Sequence, residues 1–300
     1  LEQRSNALSS LGRSIPTLPT DEQRMRFDTI LNAARQLPVE QRWPTLATLG
    51  LAINSLPPSD RLVQFGTILN AVGQLPVEQR SEALMSLGRT IPGLPLDDRL
   101  TQFDAILDAV GQLPAEQRGL PLAILGARIP ILAANAHLAR FDSILDAVGQ
   151  LPVEQRWSTL TNLGFRIQLL PPDARLARFD SILDAVGQLP VEQRSSTLTN
   201  LGFKIQLLPL DARVARFDSL LDAVARLPVE QHSSMLTNLC PNIGILPLDA
   251  RPAQFHRVLE AVQQLPAEQR GMLLTGLSIY IRALPDPTRG AARTALRGAL

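Results

Sequence analysis

Apolar residues recur along the chain in two alternating patterns that share one spacing, and we count positions in each from a proline at position 0. In the first pattern, positions 8, 11 and 15 hold Leu, Leu and Ile, as at Leu46, Leu49 and Ile53. In the second, position 8 holds a Phe such as Phe27, and aliphatic residues follow it. Steps of three and four place such positions on one face of an α-helix. The pattern therefore predicts amphipathic helices.

The prolines set the period of the chain. One series recurs at every thirty-eighth position, at Pro38, Pro76, Pro114, Pro152, Pro190, Pro228 and Pro266. The other lies halfway between, at Pro19, Pro57, Pro95, Pro171, Pro209, Pro247 and Pro285, with Ala133 in the one gap. Proline suits the first helical position, and Glu or Asp two positions later suits the first turn. Each half of the repeat is therefore predicted to be one helix of about 15–17 residues, with a linker too short for anything but antiparallel neighbours.

These units predict an all-α fold class, since one helix pair cannot bury its apolar stripe alone and stacking buries it. We expect an α-solenoid superhelix of about eight antiparallel helix pairs, or about 16 helices, running through residues 1–300 as one continuous repeat domain. We call the helices after the Leu/Ile pattern "first helices" and those after the Phe pattern "second helices". Because the chain opens inside a motif, at Leu1-Glu2-Gln3-Arg4, we expect it to be a fragment of a longer protein.

Glycines recur at two repeat positions and predict two different things. Position 12 of the first helix is Gly50, Gly88, Gly126, Gly164 and Gly202. Glycine costs about 1 kcal/mol inside a helix, so its recurrence predicts a close helix crossing. Position 16 of the second helix is Gly73, Gly111, Gly149 and Gly187. We interpret this second set as helix C-terminal signals.

Composition limits the function classes. The chain is 45% apolar and 4% aromatic with a net charge of +1, so it has no overall basic field for nucleic acid or an anionic membrane. No apolar run approaches the length of a membrane span, and we predict no membrane association. Cys240 is the sole cysteine, which excludes an internal disulfide and leaves the compartment open: the bacterial cytoplasm or, for an effector, a host cell.

Acidic residues form a strip on four successive second helices. Positions 9 and 13 are Asp104 and Asp108, Asp142 and Asp146, Asp180 and Asp184, and Asp218 and Asp222. One interpretation is an acidic rail for a basic partner or a carboxylate pair for acid–base catalysis. The favoured one is a solvated or Arg-paired ladder, with Arg80, Arg118, Arg156 and Arg194 of the first helices as the counter-charges. Four equivalent copies argue against a single catalytic site, which needs one tuned constellation.

Variable positions of a repeat scaffold are where specificity is expected. Position 5 of the first helix alternates among Gly, Ser and Trp, which predicts partial exposure to solvent, and positions 13 and 14 carry aromatic and basic residues. Trp, Phe and Arg are the types that anchor protein interfaces. The partner-binding candidates are Trp43, Trp157, Phe165, Phe203, Arg89, Arg128, Arg166 and Lys204. The alternative is that Trp43 and Trp157 merely cover a groove between helices.

No catalytic, cofactor or metal site is predicted. The three histidines occupy different repeat positions, and His137 and His232 stand where Arg usually stands. No zinc-type His/Cys spacing and no phosphate-binding glycine motif is present. Cys240 replaces a glycine at position 12, so we interpret it as a small buried residue.

The paired-helix period resembles α-solenoids of the HEAT/armadillo kind over the whole chain. The Arg-rich, Lys-poor, nearly identical repeats are also similar in style to type III secreted effectors of plant-associated bacteria, which implies a host protein as partner. The P-x-E-Q helix starts resemble those of the DNA-binding TAL effector repeats, but this chain lacks their base-reading loop. Its near-neutral charge also disfavours DNA.

The sequence therefore predicts a non-enzymatic protein–protein interaction scaffold that binds a protein or peptide along the repeat surface. Two alternatives stay open. One is a nucleic-acid-binding helical repeat protein, and the other is the substrate-docking region of an enzyme whose catalytic part lies outside this chain. The identity of the partner and the oligomeric state are not determined by the sequence.

Overall fold

The computed structural model describes residues 2–299, and helices account for almost all of them. Its α-helices are α1 (Glu2–Ser14), α2 (Thr20–Arg35), α3 (Trp43–Ala52), α4 (Pro58–Gly73), α5 (Arg80–Thr90), α6 (Leu96–Gly111), α7 (Ala115–Arg128), α8 (His137–Gly149), α9 (Trp157–Arg166), α10 (Pro172–Gln188), α11 (Ser195–Lys204), α12 (Leu210–Ala225), α13 (Val229–Leu239), α14 (Arg251–Gln263), α15 (Ala267–Ile279) and α16 (Asp286–Ala299). No strand occurs within residues 2–299. The predicted all-α repeat fold with about sixteen helices is confirmed.

Where a helix follows the repeat proline directly, the proline lies one residue before the helix and not at its first position. Pro19, for example, has φ −54° and ψ 145°, an extended backbone that a helical residue does not adopt. Its carbonyl oxygen accepts from the N–H of Glu22 at 3.0 Å and so starts the hydrogen-bond ladder. Proline therefore acts as an N-cap here, which differs by one residue from the sequence prediction.

Most first helices are shorter than predicted because 3₁₀ turns form at their ends. After four prolines, the Val-Glu-Gln segment forms a separate 3₁₀ turn, at Val39–Gln41, Val77–Gln79, Val153–Gln155 and Val191–Gln193. Further 3₁₀ turns follow the first helices, at Ile15–Thr17, Ile53–Ser55, Ile91–Gly93, Ile129–Ile131, Ile167–Leu169, Ile205–Leu207, Cys240–Ile245 and Tyr280–Ala283, and one precedes α8 at Ala134–Ala136. The second helices α2, α4, α6 and α12 reach the predicted length, at 16 residues each.

Glycines at position 16 end the second helices without a left-handed backbone. Gly73, Gly111 and Gly149 are the last residues of their helices, and no glycine of the described chain has a positive φ. The end tightens instead, because the N–H groups of Gln74 and Leu75 donate to carbonyls three residues back, at 3.2 and 3.0 Å. The helix therefore closes by 3₁₀ bonds, which any residue can make.

The core is the stack of predicted apolar faces. All the phenylalanines at position 8 of the second helices are fully buried: Phe27, Phe65, Phe103, Phe141, Phe179, Phe217 and Phe255. The Leu and Ile series of the first helices is also buried, as at Leu46, Leu49 and Ile53. Each such side chain contributes roughly 1.5–3 kcal/mol through burial. The aliphatic helix faces predicted from the sequence are thus the faces that pack.

A side chain at position 4 closes nearly every linker. The leucine before each proline has a carbonyl that no helix N–H reaches, because the N–H four residues on bonds to the proline carbonyl, as Gln41 does to Pro38. The Nε of Arg42 donates to this carbonyl of Leu37 at 2.8 Å. The same bond, between 2.6 and 3.0 Å, is made by Arg61, Arg80, Arg99, Arg118, Arg156, Arg175, Arg194, Arg213, Arg251 and Arg289.

Three exceptions at position 4 keep the bond with another donor, whereas the buried Nε of Arg270 has no hydrogen-bond partner among residues 2–299. Nε2 of His137 lies 3.0 Å from the carbonyl oxygen of Leu132, and Nε2 of His232 lies 2.8 Å from that of Leu227. A carbonyl only accepts, so both rings carry a proton on Nε2. The side-chain amide of Gln23 donates to Leu18 at 2.9 Å in the same way. These histidines thus have a structural role, which accounts for their place in the Arg series.

The chain comprises two compact units, which we call unit 1 (Leu1–Thr159) and unit 2 (Leu160–Leu300). Within unit 1, α1, α3, α5 and α7 contact one another in succession, and within unit 2, α11, α13 and α15 do so. Second helices also contact in succession, as α4 and α6 do in unit 1 and α12, α14 and α16 do in unit 2. Each unit therefore has a first-helix layer and a second-helix layer.

Candidate functional site

Acidic residues are absent from most of the first-helix layer of unit 2. Positions 5–17 of its first helices, in residues 160–169, 195–207, 233–245 and 271–283, contain no Asp or Glu. The charged residues in these segments are Arg166, Lys204 and Arg282. The second helices hold the aspartates of the strip. Beyond the first turns, which hold Glu230 in α13 and Glu268 in α15, the first-helix layer of unit 2 therefore carries only positive charges, a signal that was present in the sequence and that the motif search missed.

A row of large side chains is exposed on this layer. Position 13 is turned away from the buried positions 8, 11 and 15 on the same helix. There the exposed fractions are 46% for Phe165, 47% for Phe203 and 64% for Ile279, and Pro241 is also exposed. We call Phe165, Phe203, Pro241 and Ile279 the position-13 row. Exposed apolar side chains that repeat along one surface are typical of interaction sites.

Two cations meet on the ring of Phe165. The Nζ of Lys204 lies 4.7 Å from the ring centroid, and the Cζ of Arg166 lies 5.3 Å from it, both within cation–π range. Nζ of Lys204 also donates to Oε1 of Gln168 at 2.7 Å. Burial, and secondarily the charge of Arg166, lower the pKa of Lys204. The structure thus brings together three of the predicted candidates, and it adds Gln168, which the sequence analysis did not select.

The remaining partner-binding candidates have varied surroundings. Phe203 belongs to the position-13 row of unit 2. In unit 1, Arg89 is exposed, and Arg128 and Trp43 are half-buried. Trp157 is exposed and lines a cleft of about 410 Å³ together with Gln117, Gly119, Leu120 and Glu154, among others.

Position 5 is not uniformly open, so that prediction fails at Gly119. This glycine is buried, and a methyl group on it would lie 3.1 Å from Cβ of Gln155 and 3.2 Å from its carbonyl oxygen. Trp157, at the same position one repeat later, is exposed. The predicted partial exposure holds at the other residues of this position, which are half-buried or exposed: Trp43, Ser81, Trp157, Ser195, Ser233 and Gly271.

The acidic strip is partly an ion-paired ladder, and its cations come from the neighbouring second helix. Nε of Arg140 donates to Oδ1 of Asp104 at 2.8 Å, and Nε of Arg216 donates to Oδ1 of Asp180 at 2.9 Å, each pair being bidentate. These bonds raise the pKa of both guanidinium groups. Gln64 makes the neutral version, donating to Asp28 at 3.0 Å.

The last rung has a different geometry. Arg257 of α14 contacts both Asp218 and Asp222 of α12, with 2.7 Å between Nη2 and Oδ1 of Asp222. Asp108, Asp146 and Asp184 at position 13 are exposed. The position-9 carboxylates are half-buried, like Asp142 of the same series.

The predicted counter-charges were therefore wrong for these aspartates. Arg80, Arg118 and Arg194 were expected to pair with the strip, but their Nε atoms bond to the linker carbonyls of Leu75, Leu113 and Leu189. Arg156 makes the same bond to Leu151. The regular spacing of the prolines could not reveal this, because position 4 and position 7 are both basic in the sequence and the choice between them depends on the linker geometry.

A cleft recurs between successive second helices, and the position-4 side chain of the intervening first helix is one of its lining residues. In unit 1 one such cleft, of about 250 Å³, is lined by Arg80, Leu84 and Asp108, among others. In unit 2 another, of about 390 Å³, is lined by His232 and Glu260, among others. In each cleft the basic side chain is already bonded to a linker carbonyl, and the acidic side chain is exposed. The clefts therefore arise from the repeat itself and do not indicate a specific site.

Thiol, imidazole and carboxylate groups are the side chains most often used in catalysis or metal binding. Burial raises the pKa of the Cys240 thiol to about 12, so it is protonated at neutral pH. No group of three or more His, Cys, Asp or Glu residues suited to a metal ion occurs in the described part of the chain. None of the helices between residues 2 and 299 is both long and apolar enough to cross a membrane.

Comparison with known proteins adds no family. No protein-family model matches the sequence, and no curated protein matches it significantly.

Proposed function

We propose that the protein is a non-enzymatic interaction scaffold, an α-solenoid of the HEAT/armadillo kind, and that the first-helix layer of unit 2 binds a partner protein. The observation that carries the proposal is the position-13 row. Phe165 and Phe203 expose nearly half of their side chains at equivalent positions, with Ile279 further along. An aromatic side chain that is already ordered by its helix loses little entropy on binding, and its burial is a large gain.

The surroundings of the row favour a protein over a nucleic acid. Binding of a nucleic acid draws most of its affinity from neutralising phosphates, and it scales with the number of cations in contact. The first-helix segments of unit 2 carry Arg166, Lys204 and Arg282, with rows of neutral Thr, Asn and Ser between them. Apolar anchors bordered by neutral polar side chains are typical of a protein interface.

Two further interpretations of the sequence use this same surface. If the chain is the docking region of a larger enzyme, the position-13 row is the docking surface. The similarity in style to type III effectors makes a host protein the first partner to test. In both cases the physical requirement is the same, a partner with apolar side chains that cover the exposed rings.

The test is capture of a partner by the immobilised chain. We expect Phe165→Ala with Phe203→Ala to reduce capture of a stoichiometric partner at least about tenfold, the effect of losing roughly 1.4 kcal/mol. The matched control is Leu210→Ala with Leu248→Ala, because these leucines are similarly exposed in unit 2 but follow the prolines of the second series.

Equal capture by the wild type, the Phe pair and the Leu pair would contradict the proposal. So would equal loss in both pairs, which would indicate nonspecific adhesion. A gel-shift assay at low salt with single- and double-stranded oligonucleotides runs beside it. A shift that disappears steeply with salt would replace the protein partner with a nucleic acid.

A further inference from the structure

Lys204 is a buried cation without a carboxylate partner. Its exposed fraction is 8%, and among the described residues its contacts are the amide oxygen of Gln168 and the ring of Phe165. Burying an ammonium group without a counter-ion is costly. Arg216 and Arg257 of the same unit are more exposed, and each is paired with an aspartate. Lys204 is thus an exception to the charge pairing of its own unit.

A second positive charge lies beside it. Arg166 occupies position 14 one repeat earlier and contacts the same Phe165 ring. The first-helix segments of unit 2 contain no acid that could offset the charge of Lys204. A recessed ammonium that shares one aromatic ring with a guanidinium makes this point of the surface positive.

Packing does not require a cation at position 14. One repeat later the residue is Asn242, which is also buried and whose Nδ2 donates to the carbonyl of Gly202 at 3.0 Å. A neutral amide therefore satisfies the same helix crossing from within the protein. The positive charge at Lys204 is an addition that the fold alone does not explain.

We propose that Lys204 and Arg166 bind a carboxylate side chain of the partner protein, while apolar side chains next to that acid cover Phe165 and Phe203. The inference rests on the proposed function, since it names the chemistry of the segment that this surface takes. A single recessed ammonium beside one guanidinium fits the tip of an Asp or Glu side chain. It does not fit a phosphate backbone, which needs a track of accessible cations.

Geometry also sets the spacing of the partner segment. Stacked helices lie about 8–10 Å apart, and a chain in the polyproline II conformation advances about 3.1 Å per residue with three residues per turn. A polyproline II segment that crosses the first helices would therefore present one apolar side chain to Phe165 and another, on the same side of the segment about three residues later, to Phe203. The acidic residue lies between or beside them.

The experiment uses two labelled peptides that differ only in charge, one with the core Leu-Glu-Glu-Leu and one with Leu-Gln-Gln-Leu. Affinity is measured by fluorescence anisotropy on the full chain. We expect the Glu peptide to bind at least about tenfold tighter than the Gln peptide. Lys204→Met should remove that preference and leave the affinity for the Gln peptide unchanged. Arg282→Met is the matched control, because it removes one cation from the same layer away from Phe165, and it should change the preference less than about twofold.

The outcomes separate this inference from the proposed function. Equal binding of the two peptides, no binding of either, or an equal loss in Arg282→Met and Lys204→Met would overturn the carboxylate site. If the Phe165→Ala/Phe203→Ala pair still abolishes capture of the protein partner in those cases, the proposed function stands. If an oligonucleotide competes through Lys204, the site takes phosphate and the inference fails.

A second readout guards against a folding defect. Replacing a buried cation that has no carboxylate partner by Met should keep or raise the melting temperature, since the desolvation cost is removed. The Glu peptide should raise the melting temperature of the wild type and leave that of Lys204→Met unchanged. A clear fall in the melting temperature of Lys204→Met without peptide would show that Lys204 supports the fold, and it would contradict the inference.

Discussion

Unit 1 and unit 2 are built from the same 38-residue repeat, yet neighbouring first helices pack more closely in unit 1 than in unit 2. In unit 1, a methyl group on Gly50 would lie 3.2 Å from Cβ of Ser86, and one on Gly88 would lie 3.1 Å from Cγ2 of Ile124. In unit 2, the nearest atoms to a methyl group on Gly164 or Gly202 would be at 3.7 and 3.4 Å. The predicted close crossing at position 12 therefore holds strictly in unit 1 and is relaxed in unit 2.

Polar side chains occupy the crossings of unit 2. The Nδ2 of Asn200 donates to the carbonyl of Thr161 at 3.1 Å, and the hydroxyls of Thr161 and Thr197 are 2.7 Å apart. In unit 1, Ile124 stands at the repeat position that Asn200 has in unit 2. Polar contacts also occur in unit 1, where the hydroxyls of Ser9 and Thr45 are 3.4 Å apart. Amide and hydroxyl groups need room to reach a partner, and a satisfied polar contact stabilises about as much as a modest apolar one. One period thus supports both close and wider crossings, and the wider kind accompanies the exposed Phe residues and Lys204.

The largest expected effect tests what both units share, the position-4 linker bond. Arg99 in unit 1 donates to the carbonyls of Leu94 and Pro92, and Arg213 in unit 2 donates to those of Leu208, Gln206 and Ile245. Changing either Arg to Met leaves carbonyls without donors, so we expect each variant to lose about 2–3 kcal/mol in the free energy of unfolding.

Urea unfolding and hydrogen exchange at the linker would measure this loss. Arg226→Met is the control, because Arg226 is exposed at the end of α12, and it should cost less than about 0.5 kcal/mol. If one of the two variants lost this stability and the other did not, the linker bond would not stabilise both units alike.

The next effect concerns Cys240, which occupies the glycine position of a first helix in unit 2. Burial raises the pKa of its thiol from 9.0 to about 12. The unfolded state ionises first, so stability is complete below pH 9.0 and falls as pH rises toward about 12. By about pH 10.5, the wild type should lose about 2 kcal/mol relative to its own value at about pH 8, a loss that Cys240→Ala should not show.

Comparing the two proteins at each pH removes the contribution of groups that do not interact with Cys240. Tyr280 stays part of the measured difference, because burial and, secondarily, the charge of Cys240 raise its pKa. A thiol reagent at neutral pH should react with Cys240 only after unfolding. If the stability of wild type and of Cys240→Ala changed with pH in parallel, position 12 of this helix would be open to water. The first helices of unit 2 would then be packed even less closely, relative to unit 1, than described above.

Periodicity was enough to predict the helices, their number and their buried faces. Phe27 and its six equivalents are buried because a repeating pattern of Leu, Ile and Phe leaves one face to pack. It was not enough to assign partners among equivalent polar residues. Arg80 and Arg140 differ only in repeat position, yet one closes a linker and the other binds Asp104. The cluster of Phe165 with Arg166 and Lys204 depends on side chains meeting across a crossing, although the absence of acids from the same segments was visible in the sequence.

The difference in packing at position 12 between the two units can be tested by replacing glycine with alanine, which adds a single methyl group. Gly88→Ala and Gly202→Ala both gain up to about 1 kcal/mol of helix propensity, so the difference between them isolates the crossing. In Gly88→Ala the new methyl group crowds Ile124, and in Gly202→Ala it meets Leu239 at ordinary contact distance. We expect Gly202→Ala to be more stable than Gly88→Ala by about 1–2 kcal/mol in urea unfolding. Equal values would mean that Ile124 yields without cost and that the two units do not differ in packing.

The smallest effect concerns a position where the units should not differ. Gly73 in unit 1 and Gly187 in unit 2 have nothing within 4 Å of an added methyl group, and neither has a positive φ. Ala225 occupies the same position in α12. Because alanine restricts the unfolded chain and favours the helix, Gly73→Ala and Gly187→Ala should each raise the free energy of unfolding by about 0.4–1 kcal/mol. Thermal and urea unfolding of the two variants should agree with each other. A loss of stability in one unit alone would mean that the difference between the units extends beyond the first-helix crossings to the ends of the second helices.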